Sequence, residues 1–199
     1  MISASVIQCK REQEVTMSLW NNWLYRRLLF LMAPANWSLG ILDFCAGRDN
    51  PRKLGGGAIS CYIIFGKGQH EHGTKSTAFG PGTILSLTPN EYNTFTCDKP
   101  TRLLVVASET PLDFDLNVQR LSPGNTITGT AHVNYVLSGS VEVSVGSNSQ
   151  KLGATTAFSI AQQIEYNLTN SGNQDALIVG IGVRAAAKRE ADGAALAQK

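Results

Sequence analysis

Short apolar runs, broken by glycine-containing turns, recur along most of the chain and predict β-strands. Ile59 to Phe65 and Val133 to Leu137 are two such runs, and each is followed by a glycine and a second strand-like segment. Runs of this length between Gly, Asn and Ser turns are typical of strands. No long segment has the apolar spacing of an amphipathic helix. The pattern therefore predicts an all-β protein.

The two glycine-centred hairpins are copies of one pattern, about 73 positions apart. Tyr62 matches Tyr135, and Gly66 matches Gly139. A glycine at this point permits the positive φ that a tight turn between strands requires. Repetition at a fixed spacing indicates one β-unit used twice. Two such units packed on each other predict two jelly-roll β-barrels in one chain, the bicupin arrangement.

The repeat and the turn signals divide the 199 residues into four predicted parts. We expect an N-terminal cupin-like barrel over residues 1–110, a linker over 111–124, and a C-terminal cupin-like barrel over 125–184. The tail, 185–199, is rich in Ala with Lys, Arg, Glu and Gln, and has no wide apolar face. Such a composition predicts a short helical or disordered end.

Composition excludes several classes of function. The net charge of +2 and the charged fraction of 16% argue against nucleic-acid binding. The cysteines lie far apart without a C-x-x-C pair, which argues against a zinc site and favours buried thiols in a reducing compartment. The run Leu28 to Met32 is too short to span a bilayer, and no signal peptide pattern is present. These observations predict a cytoplasmic protein without a membrane partner.

His70-Glu71-His72 is a His-x-His pair, a spacing that places both rings on one side of a strand. Metal-dependent cupins use such a pair with a Glu and a further His, but before the hairpin glycine. Here the pair follows Gly66, and His132, before Gly139, has no His partner. The sequence therefore favours solvent-facing positions for His70 and His72 and a hydrogen-bonded barrel-mouth position for His132. A metal site on His70 and His72 remains the alternative.

Three segments resemble the HutD/Ves family of bicupins. They are Leu19-Trp-Asn-Asn-Trp-Leu-Tyr-Arg-Arg27, Asn36-Trp-Ser-Leu-Gly-Ile-Leu-Asp43 and Asp113-Phe-Asp-Leu-Asn-Val-Gln-Arg120. The Asp115-Leu-Asn-Val118 match is the most specific, and order and spacing agree over residues 15–183. The resemblance implies a metal-free bicupin, often dimeric, which binds a small molecule and has a regulatory role in amino-acid catabolism.

The residues within these segments suit a binding site for a carboxylate. Trp20 could wall an apolar pocket, and Asn22 offers donors and an acceptor. Arg26 or Arg27 could form a bidentate contact with a carboxylate. Asp115 and Asn117 face one way in an extended chain and could orient that arginine or a ligand amine. Because most of these residues fall in the first half, the N-terminal barrel is the predicted site of binding.

Purely structural roles are the alternative for the same residues. Trp20 could be a core residue, and Asp115 and Asn117 could form turns in the link between the barrels.

Three functions follow from the sequence, in order of preference. The first is a homodimeric protein that binds a small carboxylate metabolite and needs no cofactor. This interpretation favours a binding protein over an enzyme. The second is a metal-dependent cupin enzyme that uses His70 and His72. The third is a structural protein that dimerises through an exposed strand edge.

Overall fold

The computed structural model describes residues 7–11, 25–32, 37–49, 51–53, 57–87, 90–108, 110, 112–131, 133–161 and 164–185, and within them the regular structure is all strand. The predicted tail after residue 185 lies outside these residues. In chain order the strands are β1 (Ile7–Arg11), β2 (Tyr25–Met32), β3 (Trp37–Phe44), β4 (Gly47–Arg48), β5 (Arg52–Lys53), β6 (Ile59–Phe65), β7 (Gly68–His72), β8 (Lys75–Phe79), β9 (Ile84–Leu87), β10 (Tyr92–Cys97), β11 (Thr101–Ser108), β12 (Leu112–Leu121), β13 (Thr126–Gly129), β14 (Val133–Ser138), β15 (Ser140–Val145), β16 (Asn148–Gly153), β17 (Thr156–Ile160), β18 (Tyr166–Asn170) and β19 (Ala176–Ala185). The predicted all-β class is confirmed.

Four antiparallel sheets make up two barrels. The first barrel has an outer sheet of order β4-β10-β7-β8, with β5 also on β10, and an inner sheet of order β2-β3-β11-β6-β9. The second barrel has an inner sheet of order β1-β17-β14-β19-β12 and an outer sheet of order β13-β18-β15-β16. One apolar core lies between the two sheets of each barrel, and a third joins the two inner sheets.

The inner sheets are buried on both faces, which explains their nearly continuous apolar sequences. In β11, Leu104 and Val106 belong to the core between the barrels. Leu103 and Val105 belong to the core of the first barrel. Between the inner sheets, Trp37 packs edge-on against Phe114 with ring centroids 6.0 Å apart.

The strand registers confirm the internal repeat. His70 lies opposite Phe95 in the first barrel, and Val143 lies opposite Leu168 in the second, at the same spacing of about 73 positions. Gly66 and Gly139 both have positive φ, +102° and +81°. A Cβ on Gly66 would come within 2.6 Å of Thr101, which begins β11, and one on Gly139 within 2.7 Å of Ala176, which begins β19. Both glycines are therefore required by conformation and by space.

Two segments belong to the second barrel although the sequence placed them elsewhere. Residues 112–121, expected within a linker, form β12 and pair with β19 along their whole length. The physical reason is a period-two pattern, in which Leu112, Phe114 and Leu116 pack against the core between the barrels. The N-terminal β1, expected in the first barrel, pairs with β17.

Candidate functional site in the first barrel

The structure describes only some of the residues that were predicted from the sequence to bind a ligand. Trp20 and Asn22 lie outside the described residues, and so does His132. Arg26 and Arg27 lie on β2, where the strand register is irregular between Tyr25 and Arg27.

Asp115 and Asn117 are exposed on β12, opposite Gly182 and Gly180. Their strand is an edge of the inner sheet of the second barrel, so the expectation that they belong to the first barrel is wrong. They also lie far from the arginine strand. Strand β2 contacts β1, at one edge of that sheet, whereas β12 is the opposite edge and contacts β6. The structure therefore does not bring Arg26 or Arg27 together with Asp115 and Asn117.

His70 and His72 face the interior of the first barrel. His70 is 7% exposed and lies opposite Phe95, a residue of the core of that barrel. The side chain of His72, two positions further along β7, is 22% exposed and points to the same face. The prediction of solvent-facing positions is therefore wrong for His70. The inner sheet of the barrel covers the face of β7 that carries His70. The alternation of side chains along β7 could not show which of its two faces is buried.

The second barrel shows what these positions hold in an all-apolar interior. By the strand registers, His70 corresponds to Val143 and His72 to Val145. Val143 is fully buried in the core of the second barrel, and Val145 packs against it. One barrel therefore has two imidazoles where the other has two valines. Burial of a polar side chain is unfavourable unless it is hydrogen-bonded, so this difference needs an explanation.

His70 is held by two neighbours on β10. Its Nε2 lies 2.9 Å from Oδ1 of Asn93, and its ring stacks on that of Phe95 with centroids 4.8 Å apart. Asn93 is itself oriented, because its Nδ2 donates a hydrogen bond to the backbone carbonyl of Glu91 at 3.0 Å. Burial lowers the pKa of His70, and the nearby His72 lowers it further, while the bond to Asn93 opposes both. His70 is thus a neutral, fixed imidazole near pH 7.

His72 lies at the end of β7 beside Glu91. Its Nε2 is 2.5 Å from Oε2 of Glu91. The two atoms are close but lack the alignment of a hydrogen bond, so within the described residues this buried nitrogen has no hydrogen-bond partner. The Glu91 side chain is 50% exposed. We call His70, His72, Glu91 and Asn93 the polar mouth.

Among the described side chains, one unpaired basic residue lies beside the polar mouth. Lys75, which is exposed, lies opposite His72 on β8. Arg52 and Lys53 of β5 lie opposite Asn93 and Tyr92 of β10. On the outer face of the same sheet, Arg48 and Glu71 form a bidentate pair, with Nη2 2.6 Å from Oε2, and neutralise each other. Beside the mouth, the cation of Lys75 therefore lies close to the carboxylate of Glu91.

Among the described residues, the polar mouth brings together fewer ligands than the metal-site alternative needs. The Nε2 of His70 is already engaged by the amide of Asn93. No group of three His, Cys, Asp or Glu side chains suited to hold an ion occurs among the residues that the structure describes. A transition-metal site needs several such ligands converging on one point.

Asn93 and Glu91 were not selected from the sequence. They reach the histidines through the register of β10 on β7, across 23 and 19 positions of chain, which no local pattern reveals. The repeat did contain a signal for His70, since a spacing of about 73 positions aligns it with Val143 in an apolar strand.

Comparisons with solved structures find the same architecture. AerE from Microcystis aeruginosa is 10% identical, with 90% of this chain and 100% of that chain covered and a TM-score of 0.73. HutD from Pseudomonas fluorescens is 14% identical, with 89% and 99% covered and a TM-score of 0.62. Oxalate decarboxylase from Lactobacillus farciminis is 8% identical, with 91% and 86% covered and a TM-score of 0.73.

No protein-family model and no curated protein sequence matches the chain. Within the described residues, no helix is long and apolar enough to cross a membrane. At identities this low, the likeness to solved structures shows the fold alone. It confirms at that level the resemblance to HutD drawn from the sequence, and the chain has the two-barrel cupin fold that HutD and these other proteins share.

Proposed function

We propose that the protein binds a small carboxylate in the polar mouth of the first barrel and does so without a metal ion. The observation that carries this proposal is the replacement of the interior valines of the second barrel by His70 and His72 in the first. A buried and a partly buried imidazole weaken an apolar core, so a role in binding accounts for them better than a role in packing.

The chemistry of the mouth suits an anion. His72 Nε2 is buried, and its contact with Oε2 of Glu91 at 2.5 Å lacks the alignment of a hydrogen bond. Such a group is normally satisfied by an aligned partner. A ligand oxygen can supply that partner when the Glu91 side chain turns away. Lys75 beside His72 adds a positive charge, and opposite charges at short range favour the bound anion.

The solved relatives of this fold support the ligand class. The oxalate decarboxylase from Lactobacillus farciminis was solved as a formate complex, and HutD from Pseudomonas fluorescens in a formate condition. Formate is the smallest carboxylate. The resemblance to HutD adds a regulatory role in amino-acid catabolism to the proposal. Such a role requires ligand binding but no catalysis.

Replacing His70 and His72 together with valine is expected to abolish carboxylate binding and to leave the fold intact. Valine occupies the corresponding positions of the second barrel, so we expect the fold to be kept. Loss of the bond between His70 and Asn93 is expected to lower the free energy of unfolding by about 1–3 kcal/mol. Binding of formate, acetate, propionate and lactate is measured by calorimetric titration and by thermal shift, since a ligand of the folded state raises the melting temperature.

Two matched variants serve as controls for this experiment. Asp115→Ala with Asn117→Ala alters the exposed edge of the second barrel, and Arg26→Ala with Arg27→Ala alters β2. We expect carboxylate affinity to survive the first pair of substitutions. Full affinity in the double valine variant, or its loss in the Asp115 and Asn117 variant alone, would show that the ligand binds elsewhere.

A further inference from the structure

We propose that the polar mouth prefers a carboxylate that also carries a hydroxyl group, because His70 presents a hydrogen-bond acceptor to the ligand. This inference rests on the proposed function and names the class of ligand for the same site. It follows from the tautomer of one ring, which the neighbouring residues determine.

Asn93 determines that tautomer. Its Nδ2 donates to the backbone carbonyl of Glu91 at 3.0 Å, and this bond fixes which end of the amide faces His70. The group that faces Nε2 of His70 is therefore the carbonyl oxygen Oδ1, at 2.9 Å. A carbonyl oxygen only accepts hydrogen bonds, so Nε2 must carry the hydrogen. In a neutral imidazole the other nitrogen, Nδ1, then has a lone pair and accepts.

The ring stays in this state because it is buried and lies close to His72. Desolvation and the neighbouring His72 both lower the pKa of His70, which disfavours a second proton on Nδ1. Among the described residues, the hydrogen bond of the His70 ring is the one to Asn93. Nδ1 is thus available to a donor on the ligand.

The charge near the mouth selects the kind of donor. A ligand could offer either an ammonium or a hydroxyl group to Nδ1. Lys75 lies opposite His72, so a further cation would lie close to a like charge. A neutral hydroxyl has no such cost. The carboxylate of the same ligand is then directed toward His72 and Lys75.

The spacing of the two histidines limits the size of the ligand. Alternate residues of a strand have Cα atoms ~7 Å apart. A short chain of carbon atoms can place a hydroxyl near one imidazole and a carboxylate near the other. The class of ligand is therefore a small hydroxycarboxylate.

The test compares four ligands of nearly equal size by calorimetric titration of the intact protein: propionate, lactate, 3-hydroxypropionate and alanine. One added hydrogen bond to Nδ1 of His70 predicts that at least one hydroxy acid binds about five- to tenfold more tightly than propionate. Alanine, which replaces the hydroxyl with an ammonium group, is expected to bind more weakly than lactate. Equal affinity for propionate and both hydroxy acids, or tighter binding of alanine, would overturn the inference and leave the proposed function standing. Binding of none of the four would remove the proposed function, and this inference with it.

Asn93→Leu tests the cause of the preference. Leucine shares the branching of asparagine at Cγ but cannot fix the tautomer of His70, so we expect the hydroxy acid preference to fall to about twofold or less while propionate still binds. An unchanged preference in this variant would refute the role of Asn93.

The ¹⁵N chemical shifts of the His70 ring in the free wild-type protein give an independent readout. They are expected to show hydrogen on Nε2 and a bare Nδ1. The opposite tautomer would overturn the inference even if Asn93→Leu failed to fold.

Discussion

Replacing Gly68 with alanine is expected to lower the free energy of unfolding by about 3 kcal/mol or more. A Cβ on Gly68 would lie 2.0 Å from the carbonyl oxygen of Thr96 and 2.9 Å from Phe79. Thr96 belongs to β10, the strand that pairs with β7, so the clash is with backbone and no side-chain rotation can relieve it. Strands β7 and β10 must separate, and the polar mouth, which they share, would lose its geometry.

Gly153→Ala is the matched control for Gly68→Ala. It has no atom within 4 Å of the added Cβ, and we expect a change within about 0.5 kcal/mol. Urea denaturation followed by circular dichroism measures both variants. Equal stability of the two variants would show that the close approach of β7 to β10 is not required.

The second large effect is expected at Asn170, at the end of the second barrel. Replacing this residue with leucine is expected to cost about 3 kcal/mol of stability. Asn170 is 2% exposed. Its Nδ2 donates to the carbonyls of Leu121 at 2.7 Å and Gln174 at 2.8 Å, and its Oδ1 accepts from the amide of Gly172 at 2.9 Å. Leucine would fill the space and leave three backbone groups without these partners.

The neighbouring Thr169 provides the control for Asn170→Leu. Its hydroxyl lies 2.8 Å from that of Thr126 in an exposed pair on the outer sheet. Thr169→Val keeps the β-branched shape and removes that hydroxyl, with an expected loss within about 0.5 kcal/mol. Denaturation midpoints measured under one set of conditions decide the comparison. A loss for Asn170→Leu no larger than that for Thr169→Val would contradict the role assigned to the asparagine.

The repeated architecture could be predicted from the sequence because its signals are local. Gly66 and Gly139 mark turns that need positive φ, and apolar runs such as that of β6 mark buried strands. Strand β12 was missed although its pattern is also local. Its apolar residues alternate with Asp113, Asp115 and Asn117, and such polar residues are common in turns.

The candidate site was harder to predict because it depends on contacts between distant strands. Nothing in the order of segments shows that β2 and β12 lie on opposite sides of the two inner sheets. The bond between His70 and Asn93 depends on the register of β7 on β10. Burial of His70 depends in turn on the sheet that covers it. In the sequence, the burial of His70 was indicated only by its alignment with Val143 through the repeat.

The most direct test of carboxylate binding in the first barrel is a ¹H–¹⁵N spectrum of the imidazole groups during titration with propionate and with lactate. The chain has three histidines, of which His70 and His72 belong to the polar mouth and His132 belongs to the second copy of the repeat. We predict that the resonances of His70 and His72 shift with saturation and that those of His132 remain unchanged. Shifts confined to His132, or no shift of either His70 or His72 with both ligands, would contradict binding in the first barrel.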